Sequence, residues 1–172
     1  IGVLVPVIII SVMEMLNDKI REREEIVRHT QAPVIGEIGH AGDQTLVVRA
    51  GSRSVVAEQF RIMRTNIQYF INKVANPVIL VTSSVSGEGK SFVATNFGAA
   101  IALTGKKTVI LEFDIRKPRL LKGLNMHSAE GLSNFMVGTV TDIEKIIQPV
   151  DGFPNLYVIG CGPVPPNPSE LL

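Results

Sequence analysis

The sequence predicts an α/β domain in which a mostly parallel β-sheet is flanked by helices. Two short apolar segments, 77–82 and 108–113, are rich in β-branched residues, and the segment between them, 91–104, is apolar on nearly every side. Buried parallel strands have continuous apolar sequences, and the helix that joins two of them packs on the sheet. Residues 77–113 are therefore expected to form a right-handed βαβ unit.

The first 13 residues, IGVLVPVIIISVM, contain no charged side chain. Thirteen helical residues rise only about 20 Å, less than the roughly 30 Å of a bilayer core. We interpret residues 1–16 as the C-terminal part of a transmembrane helix, with a buried core helix as the alternative. Lys19, Arg21 and Arg23 follow this segment, and basic residues next to a span mark its cytoplasmic side. Residues 17–51 are then a juxtamembrane stalk and a glycine-containing linker.

The remaining elements follow in order along the chain. Apolar residues from Val56 to Val74 recur at steps of three and four, which predicts an amphipathic helix over 52–74. Weaker helices are expected near 129–137 and 142–148, and a third strand at 155–160. Asn167, Pro168 and Glu170 form the pattern of a helix start. Residues 52–172 are thus expected to be the N-terminal part of a domain that is truncated here.

The composition excludes several functional classes. Seventeen Lys and Arg residues face 16 Asp and Glu residues, so the net charge of +1 gives no support to nucleic-acid binding. Cys161 is the single cysteine of the sequence, so no disulfide can form within the chain.

A glycine-containing loop lies between the first predicted strand and its helix. Residues 84–91 read SVSGEGKS and match the Walker A pattern G-x-x-x-x-G-K-[ST], except that Ser84 replaces the first glycine. Such a loop wraps backbone N–H groups around phosphate oxygens, while its lysine and its hydroxyl contact the phosphates and Mg²⁺. The sequence therefore predicts a P-loop NTPase-like fold. The predicted nucleotide-binding residues are Ser86, Gly87, Glu88, Gly89, Lys90, Ser91 and Phe92, with Ser91 also a metal ligand.

Two carboxylates follow the next predicted strand. Glu112 and Asp114 lie at the carboxyl end of 108–113, which is the edge of an open α/β sheet where ligands bind. Carboxylates at this position can hold Mg²⁺, and one of them can accept a proton from a hydroxyl group. We therefore predict both residues as catalytic groups and metal ligands.

Four stretches together resemble the bacterial tyrosine kinases, the cytoplasmic parts of polysaccharide co-polymerases. SSVSGEGKS is similar to the Walker A motif of this family, and VILEFDIRKPRL is similar to its Walker A′ motif D-x-D-x-R, with Glu112 in place of the first aspartate. Glu58, Arg61 and Arg64 match the E-x-x-R-x-x-R motif, and GPVPPNPSELL resembles a family signature. The resemblance covers nearly the whole chain.

The resemblance implies phosphoryl transfer from ATP, with Mg²⁺, to tyrosine hydroxyls. Lys90 would neutralise phosphate charge, and Arg116 would lie near the phosphates or at the subunit interface. Asp114 would be the base or a metal ligand. Glu58, Arg61 and Arg64 would pair between the subunits of a ring-like homo-oligomer. From spacing alone, the same three residues would only form ion pairs on a solvated helix face.

The resemblance also implies a setting for the protein. It would be a tyrosine autokinase at the cytoplasmic side of a bacterial inner membrane, and it would regulate capsule or exopolysaccharide polymerisation and export. Its partners would be the membrane, the export and polymerisation machinery and a cognate tyrosine phosphatase. Two alternatives stay open: an ATP-binding regulatory membrane subunit without kinase activity, and an ATPase similar to ParA and MinD. Val85 stands where the latter group has a signature lysine.

Overall fold

The computed structural model describes residues 4–16 and 23–164. The chain divides into two compact units, one that ends at Ile35 and one that begins at Gly36. The predicted helix start at Asn167 lies outside the described residues.

The described residues of the first unit form two helices, α1 (Leu4–Met15) and α2 (Arg23–His29). Helix α1 is apolar, and Val7, Ile8 and Ile10 each expose more than half of their surface. Within the described ranges, no helix is both long enough and apolar enough to cross a membrane. Helix α2 has Glu24 and Glu25 in its first turn and Arg28 in its last. Negative charge at the N-terminus and positive charge at the C-terminus interact favourably with the helix dipole.

The second unit begins earlier than the sequence indicates. Residues 36–51, which we call the strap, were predicted as linker, but they belong to the same compact unit as the rest of the domain. Val47 and Val48 of the strap are buried and join the main hydrophobic core. These two valines supply apolar surface that the helices cover, so the strap packs with the elements that follow it. The domain boundary at residue 52 stays a prediction.

Two long helices pack against each other. Helix α3 (Val55–Ile71) begins at Ser54, whose side chain accepts a hydrogen bond from the N–H of Ala57, and it buries Phe60. Helix α4 (Lys90–Ala102) is buried over most of its length. Both helices agree with the predicted segments 52–74 and 91–104.

The sheet has three strands in the order β1 (Thr108–Leu111), β3 (Leu156–Ile159) and β2 (Gln148–Pro149). Strands β1 and β3 are parallel, with Thr108 opposite Leu156. Strand β2 runs antiparallel to β3, because only a short turn around Gly152 joins the two. The sheet is thus small and mixed, whereas a mostly parallel sheet was predicted.

The predicted strand 77–82 is wrong for this structure. The segment has no strand assignment, and Val78 and Leu80 are 97% and 83% exposed. A strand needs a hydrogen-bonding neighbour, and β1 pairs with β3 instead. The composition of the segment favours a strand, but no described strand forms hydrogen-bonded pairs with it.

Short elements connect β1 to β3. Helix α5 (Leu120–Gly123) was not predicted, while α6 (Leu132–Met136) and a 3₁₀ helix (Ile143–Ile146) fall in the two weakly helical segments. Leu132, Val140, Ile146 and Ile159 form a second small core here.

Candidate nucleotide-binding site

The glycine loop joins residues 77–82 to helix α4. Gly87 and Gly89 have φ angles of 97° and 95°, a left-handed conformation that other residues avoid. Gly89 is the N-cap of α4 and offers no side chain to the N–H groups of the first turn. Uncapped N–H groups at the start of a 13-residue helix suit an anionic phosphate group.

Side chains of the loop contact each other across its mouth. Lys90 Nζ donates a hydrogen bond to Ser83 Oγ at 2.8 Å, and Ser83 Oγ donates to the carbonyl oxygen of Val85 at 2.9 Å. Glu88 Oε2 accepts the N–H of Val85 at 3.1 Å, and this bond lowers the pKa of Glu88. Ser83 was not predicted as a site residue, although a hydroxyl seven positions before the lysine can reach it across the loop.

The predicted nucleotide-binding residues differ in exposure along the loop. Ser86, Gly87 and Glu88 are exposed, whereas residues 89–92, which start α4, are half-buried. The exposed residues of the loop are thus accessible to a ligand.

Asp114 and Arg116 lie on an exposed loop, residues 113–119, that follows β1. Asp114 Oδ1 accepts the N–H of Lys117 at 3.0 Å, and its other oxygen has no hydrogen bond within the described part of the chain. Ile115 is buried and anchors the middle of the loop. Asp114 is therefore a carboxylate that stays accessible for a metal ion or a proton.

Glu112 differs from Asp114 in every respect. It is 7% exposed, and its Oε1 accepts the N–H groups of Arg119 and Leu120 at 2.5 and 2.6 Å. Its Oε2 accepts the N–H of Cys161 at 3.3 Å, just beyond the end of β3. The two carboxylates predicted at this edge are thus divided into a buried and an exposed group.

Cys161 lies beside these acidic residues. The thiol is 1% exposed, and its pKa is raised, first by burial and then by the negative charges of Glu112 and Asp114. A buried thiol with a raised pKa is a poor nucleophile.

No cluster of three His, Cys, Asp or Glu side chains that could hold a metal ion occurs in residues 4–16 and 23–164. Mg²⁺ is commonly bound in proteins through one or two carboxylates and the phosphates of a substrate.

The predicted interface residues have partners within the chain. Arg61 pairs with Glu58 at 2.8 Å and donates to the carbonyl oxygen of Ser52 at 2.6 Å. Arg64 donates from Nη1 to the carbonyl oxygen of Ala100 in α4 at 3.0 Å, while its buried Nε has no hydrogen-bond partner among the residues that the structure describes. The local i,i+3 ion pair is therefore present, and the pairing between subunits stays a prediction.

Asn96 is a polar anchor that the sequence analysis missed. It is fully buried in α4, and its Oδ1 accepts the N–H groups of Val47 and Val48 at 2.8 and 3.0 Å. Its Nδ2 donates to the carbonyl oxygens of Thr45 and Phe92. The sequence signal for this role was the presence of an asparagine in an apolar helix, because a buried side-chain amide needs hydrogen-bond partners.

Comparisons with known proteins agree with the predicted resemblance. No protein-family model matches the chain. The tyrosine-protein kinase YwqD of Bacillus subtilis is 31% identical over 134 residues, which cover 78% of this chain and 56% of that protein. The tyrosine-protein kinase ptk of Acinetobacter johnsonii is 33% identical over 121 residues, which cover 70% of this chain and 16% of that protein. This chain thus spans about half the length of the first relative.

A solved structure shares the fold. The kinase domain of the Escherichia coli tyrosine kinase ETK superposes with a TM-score of 0.78 at 25% identity, and the match covers 90% of this chain and 65% of that domain. Sequence and fold similarity thus point to the same group of proteins.

Proposed function

Because this chain is related to the bacterial tyrosine kinases, we propose that it forms the nucleotide-binding part of a protein-tyrosine autokinase. The observation that supports this proposal most strongly is the start of α4. There the left-handed Gly87 and Gly89, the uncapped first turn and the Lys90 side chain meet in one loop. A loop with these properties binds the phosphates of a nucleotide.

In the proposed reaction the chain positions ATP and the tyrosine that receives the phosphoryl group. The loop amides and Lys90 would bind the phosphates, and the Ser91 hydroxyl and Asp114 would bind Mg²⁺. Mg-ATP supplies the γ-phosphoryl group and part of the charge neutralisation that its transfer needs. The tyrosine oxygen would form a bond to the γ-phosphorus as the bond to the β,γ-bridging oxygen breaks.

Asp114 is the described group best suited to receive the tyrosine proton. Its carboxylate is exposed and keeps one oxygen without a hydrogen bond among the described residues. Arg116, exposed on the same loop, would stabilise negative charge on the transferring phosphoryl group.

The proposal extends to the protein as a whole. We infer a regulator of capsule or exopolysaccharide synthesis on the cytoplasmic side of a bacterial inner membrane, opposed by a tyrosine phosphatase. Glu58 exposes 60% of its side chain, so it can reach a second subunit, whereas Arg64 is already bonded to α4. Exchange of the Glu58–Arg61 pair for a pair across an interface would close a ring.

Replacement of the loop lysine tests the kinase proposal. In the native full-length protein, Lys90→Met removes the cation that contacts the phosphates, so we expect phosphotyrosine to fall by at least about a hundredfold. Lys107→Met is the matched control, since Lys107 is exposed outside the loop and should leave phosphorylation unchanged. The measurement is mass-spectrometric mapping of phosphotyrosine after incubation with Mg-ATP. Undiminished phosphotyrosine in the Lys90 variant would contradict the proposal.

A further inference from the structure

The side chain of Glu112 connects three parts of the fold. It leaves the chain directly after β1, and its carboxylate accepts N–H groups at the start of α5 and just beyond β3. Oε1 accepts two hydrogen bonds, which occupy both of its lone pairs, and Oε2 accepts a third. Glu112 as a whole residue is only 7% exposed, so neither a metal ion nor a substrate hydroxyl has free access to its carboxylate.

Helix α5 depends on this carboxylate. Its N-cap residue, Arg119, makes no capping hydrogen bond with its own side chain. The first N–H groups of a helix need acceptors, and Glu112 supplies one from a different element. The loop 113–119 is therefore held at both ends, by β1 on one side and by the Glu112 carboxylate on the other.

We propose that Glu112 is a positioning residue that fixes the loop carrying Asp114 and Arg116, and that it acts neither as the base nor as a metal ligand. This inference rests on the proposed kinase function. It assigns two roles to the acidic residues after β1: Glu112 shapes the loop, and Asp114 faces the reactants.

Three variants of the native protein separate the two roles. Glu112→Gln keeps the length of the side chain and one oxygen acceptor, so kcat should stay within about tenfold of the wild-type value. Glu112→Ala removes the acceptor and should lower kcat by about a hundredfold or more, with little change in the Kd for ATP. Asp114→Asn should lower kcat by the 10²–10⁴-fold typical of a lost general base.

Amide hydrogen exchange provides a readout of the loop itself. The N–H groups of Arg119 and Leu120 should be protected in the wild-type protein and in Glu112→Gln. They should exchange at least about tenfold faster in Glu112→Ala, since each lost 1.4 kcal/mol of protection corresponds to a factor of ten. Asp114→Asn should leave their protection unchanged.

The outcomes are decisive in both directions. The inference is overturned if Glu112→Gln loses as much activity as Asp114→Asn, or if the Arg119 and Leu120 amides are unprotected in the wild type. If Glu112→Ala does not fold, the glutamine variant and the wild-type exchange rates still decide. Absence of phosphotyrosine in the wild type would overturn the proposed function, and the exchange pattern would then test the anchoring alone.

Discussion

Gly131 has no room for a side chain. A Cβ atom at this position would lie 2.3 Å from the Gly162 nitrogen and 2.4 Å from the Gly160 oxygen, and both are backbone atoms that cannot turn away. The close approach lets Leu132 and Ser133 donate to the carbonyl oxygens of Gly160 and Cys161 at 2.9 Å. The chain after β3 is thereby fixed against the start of α6.

Gly131→Ala is therefore expected to lower the free energy of unfolding by about 1–3 kcal/mol, the cost of overpacking a tight contact. Chemical denaturation followed by circular dichroism measures this difference. Gly36→Ala is the control, because its Cβ would meet only the Met63 side chain, at 3.4 Å. Equal stability of the two variants would show that the three glycines do not need their close contact.

Residue identity alone did not separate Glu112 from Asp114. The two are two positions apart, so a continued strand would place both on one face of the sheet. Strand β1 ends at Leu111, however, and the chain then turns, which buries one carboxylate and exposes the other. The sequence predicted that both carboxylates lie at the carboxyl end of this strand. Which of them is buried depends on distant N–H groups, such as that of Cys161, and no local sequence pattern shows these.

At the scale of elements, Asn96 joins the strap to α4. Asn96→Ala would leave the buried N–H groups of Val47 and Val48 without their acceptor. We expect a loss of about 2–4 kcal/mol in unfolding free energy, because unsatisfied buried groups cost about 1–3 kcal/mol each. The amides of Val47 and Val48 should also exchange faster, which nuclear magnetic resonance can measure.

Gln59→Ala provides the comparison for this prediction. Gln59 also bonds the strap, through the N–H of Gly39 at 2.8 Å, but that bond is exposed to solvent. Loss of this hydrogen bond should lower the free energy of unfolding by less than about 1.5 kcal/mol, since water replaces the acceptor. A similar cost for both variants would argue against burial as the source of the effect at Asn96.

Elements with strong local signals were predicted well, and those that depend on remote partners were not. Helix α3 was predicted from apolar residues that recur at steps of three and four, and α4 from its apolar run. Helix α5 has only four residues and takes its N-terminal acceptor from Glu112, eight residues before Leu120. Residues 77–82 have the composition of a strand, but pairing is a non-local property that composition does not encode.

At the scale of the whole molecule, the domain boundary can be tested by truncation. A chain that begins at Gly36 keeps the strap, whereas one that begins at Ser52 loses Val47 and Val48 from the core. Burial of one valine contributes about 1.5–3 kcal/mol, so the shorter chain should be several kcal/mol less stable. Thermal or urea unfolding of both chains gives the comparison. Equal unfolding midpoints would restore the predicted boundary at residue 52.

The strap escaped prediction because its composition is that of a linker. Glycines at 36, 39, 42 and 51 mark it as a connection, and its large apolar residues are few: Ile38, Leu46, Val47 and Val48. The acceptor that orders it, Asn96, lies nearly 50 positions further along the chain. An irregular segment that packs on helices in this way can be recognised only from the three-dimensional structure.

The strap also has a mechanical consequence. Tension applied to the chain before Gly36 must pass through residues 36–51 before it reaches the start of α3. The Asn96 hydrogen bonds to Val47 and Val48 bear that load, and the Thr45 methyl group adjoins Gly123 of α5. Helix α4 starts at the glycine loop, and α5 follows the loop 113–119. A pull on the N-terminal side is thus delivered first to α4 and α5, the helices that adjoin the glycine loop and the loop 113–119.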